Sequence, residues 1–111
     1  NVKVSENAVV HGYMKVYGTV QISGSVTLSG EADVCGNAQI SEEEDILVFK
    51  NHWSSFRYFT YTKSNKMWKT GCFYGTGQEL IDKAYRDSKT SGDHYKYYVD
   101  FVEGLERLVK E

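Results

Sequence analysis

The sequence predicts a mainly β chain in which a short parallel β-helix is followed by a small α+β cap. Large aliphatic residues recur at every sixth position of the first part of the chain, at Val4, Val10, Val16, Ile22, Leu28, Val34, Ile40 and Ile46. Glycine follows most of them two positions later, at Gly12, Gly18, Gly24, Gly30 and Gly36. Alternation within a short run indicates a strand and a glycine at a fixed place indicates a turn, so each run predicts one strand and one corner of a coil.

The register of the coils follows from the length of the repeat. If three six-residue sides complete one coil, residues eighteen positions apart lie above one another. This register stacks Val4 on Ile22 and places Lys15 beside Asp33, which gives an apolar pair and an opposite-charge pair. The repeat ends where an acidic residue falls on an inward position, because a carboxylate there would be buried without a partner. We therefore assign residues 1–45 to the coils and, because the chain begins inside a repeat, expect further coils to precede it.

The repeat has the order A-x-V-x-G-N, which is visible at Ala8–Gly12 and at Ala32–Ala38. In this order the chain resembles the hexapeptide-repeat proteins, and the resemblance implies a left-handed β-helix. Many proteins of that family are acyl- or nucleotidyltransferases that act as trimers, so the resemblance also implies a homotrimer. It makes His11 the candidate general base of an acyltransferase-like enzyme. A surface histidine is the favoured interpretation, because the register puts no acid in the column of His11 and no long loop encloses a pocket.

Residues 46–111 do not follow the repeat and are predicted to form the cap, which consists of a β-hairpin and two helices. Two runs rich in aromatic and β-branched residues, Phe56–Lys63 and Lys66–Tyr74, indicate the hairpin. The turn-forming residues Ser64 and Asn65 separate these runs. Both faces of the first run carry aromatic residues, so we expect one face to be covered and the other to serve binding or an interface.

Two helices are predicted after the hairpin. Thr76 and Glu79 have the spacing of a capping box, which marks the start of the first helix. Lys89–Gly92 is predicted to end it, and an apolar stripe at steps of three and four residues predicts an amphipathic helix from about Asp93. The glycine-rich Tyr74–Gly77 offers amides to an anion, but it lacks the lysine of a P-loop, so a tight turn is favoured.

The order of the two parts adds a second resemblance. The repeats are followed by W-S-S-x-R-Y-F-T-Y-T at residues 53–62 and by M-W-K-T-G-C-F-Y-G-T-G-x-E-L at residues 67–80. This arrangement resembles repeat proteins encoded by bacteriophages and prophages of gut bacteria. The resemblance implies either a virion or assembly component, or a small inhibitor that blocks a host defence complex or sequesters its nucleotide signal.

Charge is unevenly distributed along the chain, which carries a net charge of −2 over 111 residues. Residues 46–75 contain no acid and five basic residues, namely Lys50, Arg57, Lys63, Lys66 and Lys69. No run approaches the ~18 apolar residues of a transmembrane helix, so we expect no membrane partner. Cys35 and Cys72 have no paired spacing, which predicts free thiols in the cytoplasm of a bacterial or phage-infected cell, and no metal site.

The basic stretch carries the candidate binding site. Its cations are interleaved with aromatic residues that can stack on a base, as in proteins that bind nucleotides or single strands. The predicted site for an anion or a partner consists of Arg57, Lys63, Lys66, Lys69, Tyr61 and Trp68. Nucleic acid is an alternative that we do not favour, because five charges are few for a polyanionic partner and the sequence pI is about 5.9.

These observations predict a non-catalytic, homotrimeric binding or assembly module without a cofactor or a metal. The expected partner is a host protein complex or a nucleotide. This hypothesis is favoured over an enzymatic function by the regular polar coils, the aromatic cap and the lack of a catalytic constellation in the sequence. An acyltransferase-like enzyme that uses His11 is the first alternative, and a nucleic-acid-binding protein is the second.

Overall fold

The computed structural model describes residues 3–4, 9–10, 15–22, 27–28, 33–41 and 45–110. Its first part contains strands of two residues each, namely β1 (Lys3–Val4), β2 (Val9–Val10), β3 (Lys15–Val16), β4 (Gln21–Ile22), β5 (Thr27–Leu28), β6 (Asp33–Val34) and β7 (Gln39–Ile40). Each of these strands ends on one of the recurring aliphatic residues. The six-residue period of the sequence therefore sets where the strands form.

The short strands pair in parallel with partners eighteen residues away. β4 lies between β1 and β7, with Lys3 opposite Gln21 and Gln21 opposite Gln39. β2 pairs with β5, and β3 pairs with β6 so that Lys15 lies opposite Asp33. The predicted eighteen-residue register is confirmed for these pairs.

The prediction of a left-handed β-helix solenoid is nevertheless wrong. The described short strands form one three-stranded parallel sheet and two separate strand pairs, and a four-stranded antiparallel sheet and two helices follow them. No such solenoid is evident in the part of the chain that the structure describes. Among the described residues of this part, the aliphatic core contains Val20, Ile22, Val34, Ala38, Ile40 and Ile46. The longer β-branched and aromatic strands that follow are joined by short connections, which favour antiparallel pairing.

The antiparallel sheet consists of β8 (Ile46–Lys50), β9 (Tyr58–Thr62), β10 (Met67–Thr70) and β11 (Phe73–Gly75), in the order β11-β10-β9-β8. The predicted hairpin corresponds to β9 and β10, and residues 63–66 form its turn. β8 adds a strand on the other side of β9, which the hairpin prediction did not include. Because β9 is central, residues on both of its faces are buried, and the expected free face does not exist along most of its length.

The chain divides into two compact units, Asn1–Tyr74 and Gly75–Glu111. The second unit contains α1 (Gly77–Asp87) and α2 (Lys89–Lys110), which pack against each other. The predicted capping box is confirmed, because the Thr76 side chain accepts from the Glu79 amide at 3.2 Å and the Glu79 carboxylate accepts from the Thr76 amide at 2.8 Å. No helix among the described residues is long and apolar enough to cross a membrane.

The predicted break at Lys89–Gly92 is wrong, because these residues form the first turn of α2. Only Ser88 interrupts the helices. Its backbone N–H donates to the Ala84 carbonyl at 3.0 Å, and its hydroxyl oxygen accepts from the Ser91 amide at 3.1 Å. One residue thus ends α1 and caps α2, which is the role that serine plays at helix ends.

Candidate anion- and partner-binding surface

Two of the predicted cations meet at the turn between β10 and β11. The Arg57 guanidinium nitrogen Nη1 lies 3.5 Å from the position that a Cβ on Gly71 would occupy. The Lys69 ammonium group donates a hydrogen bond to the Gly71 carbonyl oxygen. Gly71 itself has φ +54°, a left-handed conformation that glycine adopts without strain. This turn therefore holds two positive side chains around one backbone segment.

A third cation lies at the same end of the sheet. Lys50 is the cross-strand partner of Tyr58, and its ammonium nitrogen lies 5.7 Å from the centroid of the Tyr58 ring. This geometry is a cation–π contact. Lys69 is opposite Thr60, and Thr60 shares a face with Tyr58 because strand side chains alternate with period two. Lys50 and Lys69 consequently project from the same face of the sheet.

The loop between β8 and β9 is organised by Asn51, whose side chain is buried. Its oxygen Oδ1 accepts from the amides of Trp53 at 3.1 Å and Ser54 at 2.9 Å. Its backbone N–H donates to the Arg57 carbonyl at 2.8 Å, which closes the loop at its far end. The loop thus holds the backbone of Arg57 beside the end of β8.

Phe56 is presented at the exposed side of this loop. Its side chain is 64% exposed, and its backbone has φ +59°. A bulky residue in the left-handed region is uncommon, and such strain occurs often at functional sites. An exposed phenyl ring therefore lies next in sequence to Arg57 and Tyr58. We call the set Lys50, Phe56, Arg57, Tyr58 and Lys69 the basic–aromatic surface.

The two predicted aromatic ligand contacts lie in the interior instead. Tyr61 and Trp68 are only 3% and 2% exposed, and their ring centroids are 4.9 Å apart. Trp68 also packs on Phe49 and Phe59, with centroid distances of 6.2 Å to each. These rings form an aromatic core in the first unit, so they offer no exposed face for stacking.

Lys63 and Lys66 lie at the opposite end of β9 from Arg57. They are the first and last residues of the turn at residues 63–66, and a five-residue strand separates this turn from Arg57 by about 17 Å. This turn has a structural role. The Asn65 side-chain amide donates to the Asn37 oxygen at 3.0 Å, and the Ser64 hydroxyl accepts from the Gln39 amide at 2.8 Å. The six predicted site residues therefore do not form one site.

The exposed aromatic residues of the surface, Phe56 and Tyr58, were missed by the sequence prediction. Alternation could not identify them, because aromatic residues occupy both faces of β9 and burial depends on its central place in the sheet. Their position in the sequence could have identified them. Both residues lie where the hydrogen-bonded loop enters β9, and loop residues carried by a rigid sheet are a common place for binding.

Most of the remaining sequence candidates lie outside the part of the chain that the structure describes. His11 lies outside the described residues, as do Glu42, Glu43 and Glu44. Asp45, at the end of the acidic run, accepts from the amide of Ser41 at 2.9 Å, which is a structural role. Within the described ranges, no cluster of three or more histidine, cysteine or acidic residues could hold a metal ion. The capping box engages the amides of Thr76 and Glu79, which supports a tight turn rather than an anion site at Tyr74–Gly77.

A separate polar cluster joins α1 to α2. The Tyr85 hydroxyl donates to Asp93 Oδ1 at 2.6 Å, and the Lys89 ammonium group donates to Asp93 Oδ2 at 2.7 Å. The hydrogen bond from Lys89, followed by that from Tyr85, lowers the pKa of Asp93 below its ordinary value. The same contacts with Asp93 raise the pKa values of Lys89 and Tyr85. Each group is thus held in its usual ionisation state at neutral pH, which suits helix packing rather than proton transfer.

Comparison of the chain with protein-family models, with curated proteins and with solved structures finds no match.

Proposed function

We propose that the protein is a non-catalytic binding module that captures an anionic partner on the basic–aromatic surface. One observation carries this proposal: Lys50, Arg57 and Lys69 lie at the same end of the sheet as the exposed rings of Phe56 and Tyr58. Residues 46–75 contain no aspartate or glutamate that would neutralise these cations within the sequence segment. The surface therefore combines positive charge with rings that can stack.

The ligand class that fits best is a nucleotide. Guanidinium and ammonium groups bind phosphate oxygens, and exposed aromatic rings stack on bases of any type. A long nucleic acid would need a larger positive area, whereas Lys63 and Lys66 lie at the other end of β9. The net charge of −2 also favours a small anion over a polyanion, because a negatively charged protein repels a polyanion more strongly.

The setting proposed for this activity is the cytoplasm of a bacterial or phage-infected cell. The phage-type resemblance supports sequestration of a host nucleotide signal, or inhibition of a host defence complex that carries such a ligand. Cys35 and Cys72 are free thiols, which supports a reducing compartment. The homotrimer stays a prediction, and native mass spectrometry of the intact chain tests it.

The test of the proposed function is a calorimetric titration with mono-, di- and triphosphates of adenosine and guanosine, and with a single-stranded oligonucleotide. Arg57→Gln and Lys69→Gln should each weaken nucleotide binding about tenfold, because each removes one charged contact. Lys66→Gln is the matched control, since it removes the same charge at the far end of the sheet and should leave the affinity unchanged.

Three results would contradict the proposal. The first is that no nucleotide binds at low salt. The second is that all three glutamine variants lose the same amount of nucleotide affinity. The third is that the oligonucleotide binds more tightly than any mononucleotide. Phe56→Ala supplies a second measurement that does not alter charge. It should weaken nucleotides but not inorganic pyrophosphate, because only a base can stack on the ring.

A further inference from the structure

The outer face of α2 exposes large apolar side chains that the helix pair does not cover. Tyr97, Phe101 and Leu108 are 79%, 55% and 68% exposed. At 100° per residue they fall within a sector of about 40°. The buried residues of α2 lie on the opposite side of the helix and include Tyr95, Val99 and Val102. α2 is therefore apolar on two opposed faces, of which only one is buried.

Gly104 completes the exposed stripe. The positions 97, 101, 104 and 108 follow steps of four, three and four residues, which is the spacing of a coiled-coil seam. A Cβ added at Gly104 would meet only the Arg107 guanidinium, at 3.8 Å, so the space beside it is open. A phenyl ring from another helix, such as Phe101 of a second copy, fits over a glycine at this point.

The residues that flank the stripe distinguish between the two directions of pairing. On a coiled-coil seam, Asp100 and Arg107 occupy one flank, whereas Tyr98 and Leu105 occupy the other. In an antiparallel pair that matches Phe101 with Gly104, Asp100 lies opposite Arg107 of the second copy, and Tyr98 lies opposite Leu105 of the second copy. In a parallel pair, Asp100 would face Leu105 instead. Charge and apolar matching both favour the antiparallel pair.

We propose that the exposed stripe of α2 binds a second copy of this chain, in an antiparallel, two-fold arrangement. Symmetry makes each contact occur twice, so two pairs between Asp100 and Arg107 border one side of a seam of Tyr97, Phe101, Gly104 and Leu108. The overlap spans only a few helical turns, so the association is weak, in the micromolar range expected for small interfaces. This contact belongs to the second unit and is independent of anion binding on the first.

Sedimentation velocity of the full chain, over a micromolar-to-millimolar concentration series, tests the proposal. The wild type should form a dimer, or a hexamer if it also trimerises elsewhere, and Phe101→Asp should abolish that association. Asp100→Arg and Arg107→Asp should each weaken it at least about tenfold, because two like-charge contacts replace two attractive ones. Glu103→Arg is the control for net charge, since it makes the same charge change off the stripe of the same helix. Asp100→Arg also breaks the 2.8 Å ion pair of Asp100 with Lys96, whereas Arg107→Asp leaves that pair intact and tests the seam separately.

A mixture of the two charge-reversed proteins gives the sharpest result. Asp100→Arg and Arg107→Asp each repel themselves, but in the antiparallel register they attract each other at both sites, so the mixture should associate as the wild type does. Circular dichroism of each variant verifies that the helices are retained. A wild type that stays monomeric throughout the series overturns the proposal, as does a wild-type association whose stoichiometry and strength are unchanged in Phe101→Asp. A mixture that fails to associate overturns the antiparallel register.

Discussion

The hydroxyl group of Tyr74 occupies the space beside the Cα of Gly36, where any side chain on residue 36 would have to begin. The ring carbon Cζ lies 2.8 Å from the position that a Cβ on Gly36 would take. Asn65 donates to the Tyr74 hydroxyl at 3.4 Å and also to Asn37, so the repeat turn and the hairpin turn meet here. Burial raises the pKa of Tyr74, the neighbouring Cys35 raises it further, and the hydrogen bond from Asn65 opposes both.

Gly36→Ala should destabilise the first unit by more than the ~1–2 kcal/mol cost of a left-handed residue. Gly36 has φ +77°, and the added methyl group would also displace the Tyr74 ring. Gly71→Ala is the matched control. It carries a similar positive φ, +54°, but meets only the Arg57 guanidinium at 3.5 Å. Urea denaturation followed by tryptophan fluorescence measures the free energy of unfolding of both variants. Equal losses would show that the Tyr74 contact adds no further cost to a side chain at residue 36.

Gly92→Ala should destabilise the packing of α1 on α2. Gly92 is buried, and three atoms of the Tyr85 ring lie within 2.5 Å of the position that its Cβ would take. The ring is not free to withdraw without breaking its hydrogen bond to Asp93 at 2.6 Å. We expect a loss of about 1–3 kcal/mol, which is typical of an overpacked site.

The control for this change lies in the same helix. Gly104→Ala adds a methyl group to open space and should raise the stability by about 0.5–1 kcal/mol, since alanine favours helix over glycine. Thermal unfolding followed by far-UV circular dichroism measures both variants, at a protein concentration too low for self-association. If both changes stabilised the protein, Tyr85 would not constrain Gly92.

Local features of this fold and the pairing of its short strands could be predicted from the sequence, whereas the sheets that the strands build could not. The eighteen-residue register follows from the six-residue aliphatic period together with three sides per coil, and a shift by one residue would place polar residues such as Gln21 inside. The capping box follows from two residues, Thr76 and Glu79, that act on adjacent amides. The solenoid prediction was wrong because a six-residue period specifies where short strands form but not which sheets they build with the rest of the chain.

The candidate site shows the same limit. Lys69 and Arg57 are twelve positions apart in the sequence, and they meet only because β9 and β10 pair and Gly71 turns the chain. Tyr61 and Trp68 were assigned to a ligand because aromatic residues serve cores and surfaces equally well. Only the central position of β9 decides that they are buried. Residue type therefore indicated which side chains could bind a ligand, but only the tertiary structure shows which of them are exposed.

Asn51→Ala should weaken both stability and nucleotide binding. The change removes the side-chain oxygen that accepts from the Trp53 and Ser54 amides, at a cost of about 1–3 kcal/mol. The loop would then hold Phe56 and Arg57 less firmly, so the proposed affinity should fall. Ser55→Ala is the control, because Ser55 is exposed and its hydroxyl accepts only a 3.3 Å contact from Arg57. Calorimetry on both variants would refute the role of Asn51 if binding fell equally.

Lys89→Gln should raise the pKa of the Asp93 carboxyl group towards its ordinary value. The hydrogen bond from Lys89 is the largest cause of the lowered pKa of Asp93, and the bond from Tyr85 comes second. A carbon-detected NMR titration of the side-chain carboxyl carbon measures this pKa directly. Lys83→Gln is the control, since Lys83 pairs with Asp87 at 3.0 Å and not with Asp93. An unchanged Asp93 titration in Lys89→Gln would mean that the 2.7 Å contact does not persist in solution.

The same shifts fix the direction of the pH dependence of the second unit. Because the pKa of Asp93 is lower in the folded state, its stabilisation is complete above the ordinary value of about 3.9 and is lost as the pH falls through the folded value. Tyr85 has a raised pKa, so its contribution is complete below about 10 and is lost as the pH rises through the folded value. The wild type should therefore lose more thermal stability than Asp93→Asn on acidification below about pH 4. Salt should reduce the difference, because the groups are exposed. Parallel losses in the two proteins at low salt would contradict this assignment.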